Sequence, residues 1–291
     1  MDECWREYQA RSERKTAIFE HDERELWVRK APRISRPLST VILNEKLKRS
    51  LMDDLKEFLE PHTRLWYTQK SMAYRRGYLL SGPPGTGKSS FCFSVAGELD
   101  LDIYILSIPG VSDKQVRNLF DKLPERCMVL LEDIDAAGLS RSDPEKDHYQ
   151  RNIGLQKRSE ALTPSGLLNI LDGVSSPEGR VVMMTTNHVE RLDEALIRPG
   201  RIDRRIDFGL ADKNVISELF TFMYKQPDDG EGATSDPAIK AQSAQFAKIM
   251  PPSTFSQAEI LSYLMRHKDR PDEALRDCQG WVEDALQRKA A

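Results

Sequence analysis

The sequence predicts an α/β fold: a parallel five-stranded sheet between helices over residues 33–210, then a small helical domain over 211–291. Three observations carry this reading. Five short apolar segments alternate with segments of helical periodicity, the pattern of strands joined by helical crossovers. A glycine-rich string opening on Gly82 follows directly on the first of those segments, where a strand would turn into a helix. After Ala211 the strand signals stop, and helical stretches complete the chain.

Composition narrows the function classes. With 43 Lys+Arg against 46 Asp+Glu the formal net charge is −3, and no basic stripe is present, which argues against a nucleic-acid partner. Apolar residues make up 39% of the 291 positions, enough to bury a core in one large domain and a smaller one. The longest apolar run, Cys127 to Leu131, is far short of the roughly 20 residues that cross a bilayer. Residues 1–32 mix charges with scattered aromatics (Trp5, Tyr8, Phe19, Trp27) and hold no apolar leader core. They read as the remnant of a preceding domain, with no function of their own. Cys4, Cys92, Cys127 and Cys278 are far apart, and the five histidines form no H-E-x-x-H string, so neither a redox pair nor a zinc protease is encoded.

The elements follow in order. Leu47, Leu51, Leu55, Phe58 and Leu59 recur at helical spacing from Asn44, a capping residue, to Glu60, with Pro61 as the stop. Candidate strands are Tyr78–Leu80, Ile103–Ser107, Met128–Leu131, Val181–Thr185 and Arg204–Phe208. The helices between them are Lys88–Leu99, Asp113–Leu123, Pro164–Leu171 and Asp193–Ile197. In open sheets of this kind ligands sit outside the carboxyl ends of the strands. Lys213–Tyr224, Pro237–Met250, Ser256–Arg266 and Pro271–Gln287 are the helices of the last domain, and the charged loops Gly138–Thr163 and Gln226–Asp236 read as solvated surface.

The string Gly82-Pro83-Pro84-Gly85-Thr86-Gly87-Lys88-Ser89 fits G-x-x-x-x-G-K-[ST] in the required strand, loop, helix context. Its glycines let successive N–H groups curl toward a phosphate, and the positive end of the following helix adds to them. Lys88 is placed to reach the β- and γ-phosphates of ATP, Ser89 to give its hydroxyl to Mg2+, and Ser90 to close the binding segment. Such a site needs an acid at the end of a neighbouring buried strand, and Met128–Leu131 runs into Glu132-Asp133-Ile134-Asp135. We assign Glu132 to the metal and Asp133 to the attacking water; the residue types also allow the reverse. Asp135 reads as structural or subunit-facing. Asn187, after Thr185-Thr186, can orient the water by hydrogen bonding, with His188 beside it facing solvent. Arg198 and Arg201 flank a Pro-Gly turn; arginine offered to a γ-phosphate accelerates phosphoryl transfer by about 10³–10⁵. They work only against a neighbour's nucleotide, which predicts a homo-oligomeric ring with heterologous contacts; otherwise they make weak surface ion pairs.

GPPGTGKSS, LLEDIDAA, SGLLNILDGV and TTNHVERLDEALIRPGRIDRRIDF together resemble an AAA ATPase. RPLSTVILNEKLKRSLMDDLKEFL, WYTQKSMAYRRGYLLSGPPGTGKSS and the order of acids in LLEDIDAA are most similar to the mitochondrial bcs-type AAA chaperones and their fungal relatives. The resemblance implies ATP bound by Gly82–Ser89 and Walker B places at Glu132 and Asp133. It makes Asn187 the sensor-one asparagine, and Arg198 and Arg201 arginine fingers. It further implies a hydrolytic ring motor acting on a protein substrate at the mitochondrial inner membrane, anchored by an N-terminal segment that this chain lacks; the best-known cargo is a folded iron–sulfur protein. Two departures stand out. Ser107-Ile108-Pro109-Gly110 lacks the aromatic grip of chain-threading rings, and Thr254–Ile260 shows no sensor-two arginine. The exchanged acids leave open an alternative, a nucleotide-dependent assembly switch with little hydrolysis.

Overall fold

The computed structural model describes residues 15–22, 24–31, 33–34, 36–108, 110–135, 162–172, 178–198, 200–225 and 236–290. The expectations for residues 1–14, for Pro109 and for nearly all of the two charged loops lie outside them.

The chain opens with β1 (Lys15–Thr16), β2 (Ile18–His21), β3 (Trp27–Arg29) and β4 (Arg33–Ile34). Helix α1 (Glu45–Leu59) follows, capped by Asn44, whose side chain accepts from the N–H groups of Lys46 and Leu47. Pro61 does stop it, but also opens α2 (Pro61–Gln69), a helix the sequence reading lacks; the missing N–H of proline is harmless at that first position. Then come β5 (Arg76–Ser81), α3 (Lys88–Glu98), β6 (Ile103–Ser107), α4 (Asp113–Asp121), β7 (Met128–Glu132), α5 (Pro164–Asp172), β8 (Val181–Thr186) and β9 (Arg204–Asp207). Ser112 and Gln115 form a reciprocal capping box at the start of α4. The helix expected at Asp193–Ile197 is instead a turn, since Leu196 N bonds to Asp193 O and Ile197 N to Glu194 O, without a continuing ladder.

The sheet has seven strands, not five, in the order β3-β2-β6-β7-β8-β5-β9. All neighbours are parallel except the β2–β3 hairpin. The two extra strands come from the segment expected to be the remnant of another domain, so the large domain reaches back at least to Ile18. Their docking explains why. Phe19 stacks on Tyr104 with centroids 4.6 Å apart, Trp27 meets the same ring edge-on at 5.1 Å, and Trp27 Nε1 donates to the Leu119 carbonyl at 2.9 Å. An otherwise open edge of β6 is thereby covered.

Strand alternation sorts the core to two sides of the sheet. Leu79, Leu106, Val129, Leu131 and Met184 face one cluster with α4 and α5; Tyr78, Leu80, Ile103, Met128, Leu130 and Met183 face the other with α1 and α3. Burial on both faces is what a sheet with helical crossovers requires. The last helices, α6 (Lys213–Tyr224), α7 (Pro237–Ile249), α8 (Gln257–Arg266) and α9 (Pro271–Ala290), enclose a separate core around Phe220, Phe246, Tyr263 and Leu264. Cys92, Cys127 and Cys278 are free and buried, and burial pushes the last two up to about 12, so they stay protonated. No described helix is long and apolar enough to cross a membrane.

Candidate nucleotide site

The parallel strands deliver their carboxyl ends to one edge of the sheet, and three of them converge there. β5 runs into the glycine-rich loop, β7 into Glu132 and Asp133, and β8 into Thr186 and Asn187. Register fixes the approach: Leu80 lies beside Thr185 and Ser81 beside Thr186, while Leu131 lies beside Met184.

Lys88 gathers the loop. Its Nζ donates to the carbonyls of Gly82 at 2.6 Å and Pro83 at 2.9 Å, and to Asn187 Oδ1 at 2.8 Å. Burial pulls the Lys88 pKa down, while Asp133 and then Asp135 push back by favouring the charged form. Thr86 Oγ1 donates to the Pro83 carbonyl at 2.8 Å and so helps shape the loop. Gly87, the residue before α3, has φ of +94° and no side chain to cap the helix, and a Cβ there would meet nothing within 4 Å. The first N–H groups of α3 therefore have no side-chain cap from Gly87, which is the condition for holding an anion.

The acids part company. Ser89 Oγ donates to Glu132 Oε1 at 2.8 Å, so the hydroxyl and carboxylate expected to share a metal are already in contact. Asp133 turns the other way: at φ of +46° it leaves the strand in a left-handed conformation, and its Oδ1 accepts from Asn187 Nδ2 at 3.1 Å. That conformation is held by Asp133 N on Thr185 Oγ1 at 3.0 Å and Ile134 N on the Thr185 carbonyl at 3.0 Å. Asp135 is structural within this site. Its Oδ1 accepts from Thr186 Oγ1 at 2.7 Å and from Asn187 N at 3.1 Å, fixing the end of β8 from which Asn187 projects. His188 is half exposed and bonds to Glu190 at 3.0 Å.

The pairing of an uncapped helix start and a lysine with a hydroxyl–carboxylate pair fits a nucleoside triphosphate with Mg2+. The phosphates would meet the backbone N–H groups of 85–89 and Lys88, and the metal would meet Ser89 and Glu132. Gly82, Pro83, Pro84, Gly85, Thr86, Gly87, Lys88, Ser89 and Ser90 all lie on this loop and the first turn of α3.

Arg198 and Arg201 are not brought to the cradle. They sit on the turn that enters β9, and Arg204 at the start of β9 pairs with Tyr78 near the start of β5, whereas the cradle follows the end of β5. The length of β5 separates the two, about 15–20 Å for six residues. Arg198 is exposed, and Arg201 Nη1 donates to the Ala195 carbonyl.

Two participants were not singled out from sequence. Thr185 and Thr186 hold Asp133 and Asp135, although hydroxyl residues at the end of an apolar strand are themselves a signal. The start of α8 touches the loop, Ala258 N donating to the Gly85 carbonyl at 3.1 Å, a long-range contact that no local pattern announces.

Comparison with known proteins agrees with this geometry. Residues 78–210 match the family model described as ATPase family associated with various cellular activities (AAA), and residues 213–280 match the ATPase lid domain of the mitochondrial chaperone BCS1-like proteins. "Probable mitochondrial chaperone BCS1-A" of Dictyostelium discoideum is 40% identical over 268 residues, 91% of this chain and 60% of that protein. "Mitochondrial chaperone BCS1" of Homo sapiens is 40% identical over 250 residues, 85% of this chain and 56% of that protein. The Schizosaccharomyces pombe protein named probable mitochondrial chaperone bcs1 is 37% identical over 246 residues, 84% and 50% respectively. The chain thus spans about half to three-fifths of the length of these relatives. An AAA cradle at the carboxyl ends of β5, β7 and β8, followed by a lid of this one kind, identifies the chain as a member of the AAA family with the BCS1-like chaperone lid.

Proposed function

We propose that this chain is the ATP-hydrolysing part of a ring-forming chaperone that acts on a protein substrate in mitochondria. The observation that carries the reading is the separation of Glu132 and Asp133 onto different partners, one on the metal-side hydroxyl of Ser89 and one on the amide of Asn187. Glu132 and Ser89 would hold Mg2+, which when bound would supply positive charge to offset that of the phosphates. Asp133 accepts the proton of the attacking water, and Asn187 orients both. Lys88 neutralises the phosphates, helped by the backbone N–H groups of Gly85 to Ser89.

Among the described residues, Lys88 is the cation whose hydrogen bonds place it at the phosphate loop. Arg198, at the far end of β5, serves the nucleotide of a neighbouring copy, with Arg201 beside it held to the Ala195 carbonyl, so the site is complete only in a closed ring of heterologous contacts. The cargo is handled without an aromatic grip. Ile108, in the loop after β6, is 2% exposed and Val111 5% exposed, both packed into the core rather than offered to a channel. This favours moving a folded protein over pulling an extended chain. The relatives named above are mitochondrial chaperones, and the resemblance to the bcs-type family further supports the inner membrane as the proposed site of action. The contact with lipid is assigned to sequence other than the described helices, and nucleic acid is not a partner.

Arg198→Ala tests the shared site. ATP binding is expected to persist while turnover falls by about 10³-fold or more, the loss typical of a missing arginine finger. Unchanged turnover in a nucleotide-binding Arg198→Ala protein would remove the trans arginine from the account.

A further inference from the structure

The arginine-bearing turn is bolted to the strand that feeds the phosphate loop. Gly77, second residue of β5, has no side chain, and the Arg201 carbonyl occupies the room: a Cβ on Gly77 would lie 1.9 Å from that oxygen. Gly77 N donates to Asp203 Oδ2 at 2.8 Å, and Asp203 N donates to the Gly77 carbonyl at 2.8 Å. Two bonds running in opposite directions thus join one residue of β5 to one residue of the turn. Arg205 Nη2 adds a brace to the Ile197 carbonyl at 2.9 Å, on the other flank of the turn. Arg204 is held by α1, donating to the Ser50 carbonyl and to Ser50 Oγ, both at 2.9 Å. Arg201, Arg204 and Arg205 are thus all engaged inside the chain. Arg198 and Arg205 are both exposed, but of these four arginines Arg198 is the one with no side-chain hydrogen bond or ion pair among the described residues.

We propose that Asp203 is a positioning residue for catalysis in trans: its clasp on Gly77 holds the turn so that Arg198 projects at a fixed height and angle toward the nucleotide of a neighbouring copy. The proposal rests on the shared-site reading above. A side chain on a free turn would sample many positions, and a misplacement of about 1 Å costs on the order of 10²-fold in rate. A clasp made of two backbone-anchored bonds at the base of the turn removes that freedom while leaving Arg198 itself unbound. Because Gly77 and Gly82 lie on and directly after one strand, the same rigid element carries a subunit's own cradle at one end and its contribution to the neighbour at the other.

Mixed rings distinguish this role from a general loss of structure. Asp203→Ala alone is expected to bind a fluorescent ATP analogue as the wild type does and to lose about 10- to 100-fold in turnover. Lys88→Ala alone cannot use ATP but keeps an intact arginine turn. Mixed one to one, the Asp203→Ala copies supply working cradles and the Lys88→Ala copies supply arginines. Activity should then return to about one quarter of the wild-type level, since half the copies have a cradle and half of those have a suitable neighbour. Asp203→Asn, which retains an acceptor for Gly77 N, should stay near wild type.

The proposal is overturned if Asp203→Ala hydrolyses ATP normally, if it loses ATP binding, or if the mixture stays as inactive as its parents. The pair Arg198→Ala with Lys88→Ala separates the two ideas. Recovery in that mixture without recovery in the Asp203 mixture removes the positioning role alone; failure of both removes the shared site as well. Should Asp203→Ala not be recovered folded, Arg205→Ala carries the same test through the brace on Ile197, with the same two outcomes.

Discussion

Lys88→Ala is expected to weaken ATP binding by about 10- to 100-fold and to bring hydrolysis to background, the largest single loss available in this chain. The lysine does more than add a charge. It draws together the carbonyls of Gly82 and Pro83 and the Asn187 side chain, so its removal leaves three acceptors facing one another without a donor. The loop then has no reason to keep its N–H groups turned inward, and the loss should appear directly as a weaker dissociation constant in a binding titration, before any turnover is measured. A Lys88→Ala protein that binds ATP with wild-type affinity would contradict the placement of the phosphates.

Asp133→Asn and Glu132→Gln are expected to fail differently. With Asp133→Asn, ATP and Mg2+ still bind, because Ser89 and Glu132 are untouched, while turnover falls by about 10²- to 10⁴-fold through loss of the group that accepts the water's proton. With Glu132→Gln, the metal loses a charged ligand partner, and the Mg2+ concentration needed for half-maximal ATP binding should rise by an order of magnitude, as expected when one hard anionic ligand is withdrawn. Titrating Mg2+ against nucleotide binding in both variants reads the two effects separately. If Asp133→Asn raises the Mg2+ requirement and Glu132→Gln leaves it alone, the two acids have exchanged roles.

That question shows where the sequence stops. The string from Gly82 to Ser89 is local: its glycines, lysine and serine lie within a few residues of one another, so spacing alone singled out the candidate cradle. The four inner strands β5 to β8 were equally legible, because burial on both faces demands short, continuous apolar runs such as Met128–Leu131, while β9 is a half-exposed edge strand. The order of Glu132 and Asp133 was not assignable from residue type, since both are carboxylates on adjacent positions. Only the left-handed turn at Asp133 and the contacts with Ser89 and Asn187 set them on different partners.

The β2–β3 hairpin was missed for a related reason. Its strands are only four and three residues long and mix Ile18, Phe19, Trp27 and Val28 with Glu20, His21 and Arg29, too short to show a period; they are strands because β6 offers an edge and Tyr104 a ring to pack against. Asp193–Ile197 failed in the opposite sense. Its residues suit a helix, but the chain must turn there to enter β9, and the Gly77 clasp fixes where that entry lies. The Ala258 contact with Gly85 joins residues more than 170 positions apart and has no sequence signature at all.

The central claim is that a subunit's ATP is hydrolysed only when a second copy completes the site, and steady-state ATP turnover per subunit against protein concentration tests it most directly. The account predicts specific activity that rises with concentration as copies assemble and then levels off. Specific activity that is already maximal at the lowest concentration, in protein shown to be monomeric there, would contradict it. So would turnover that stays at the Lys88→Ala background across the whole range while ATP binds, which would favour a nucleotide-dependent assembly switch over a motor.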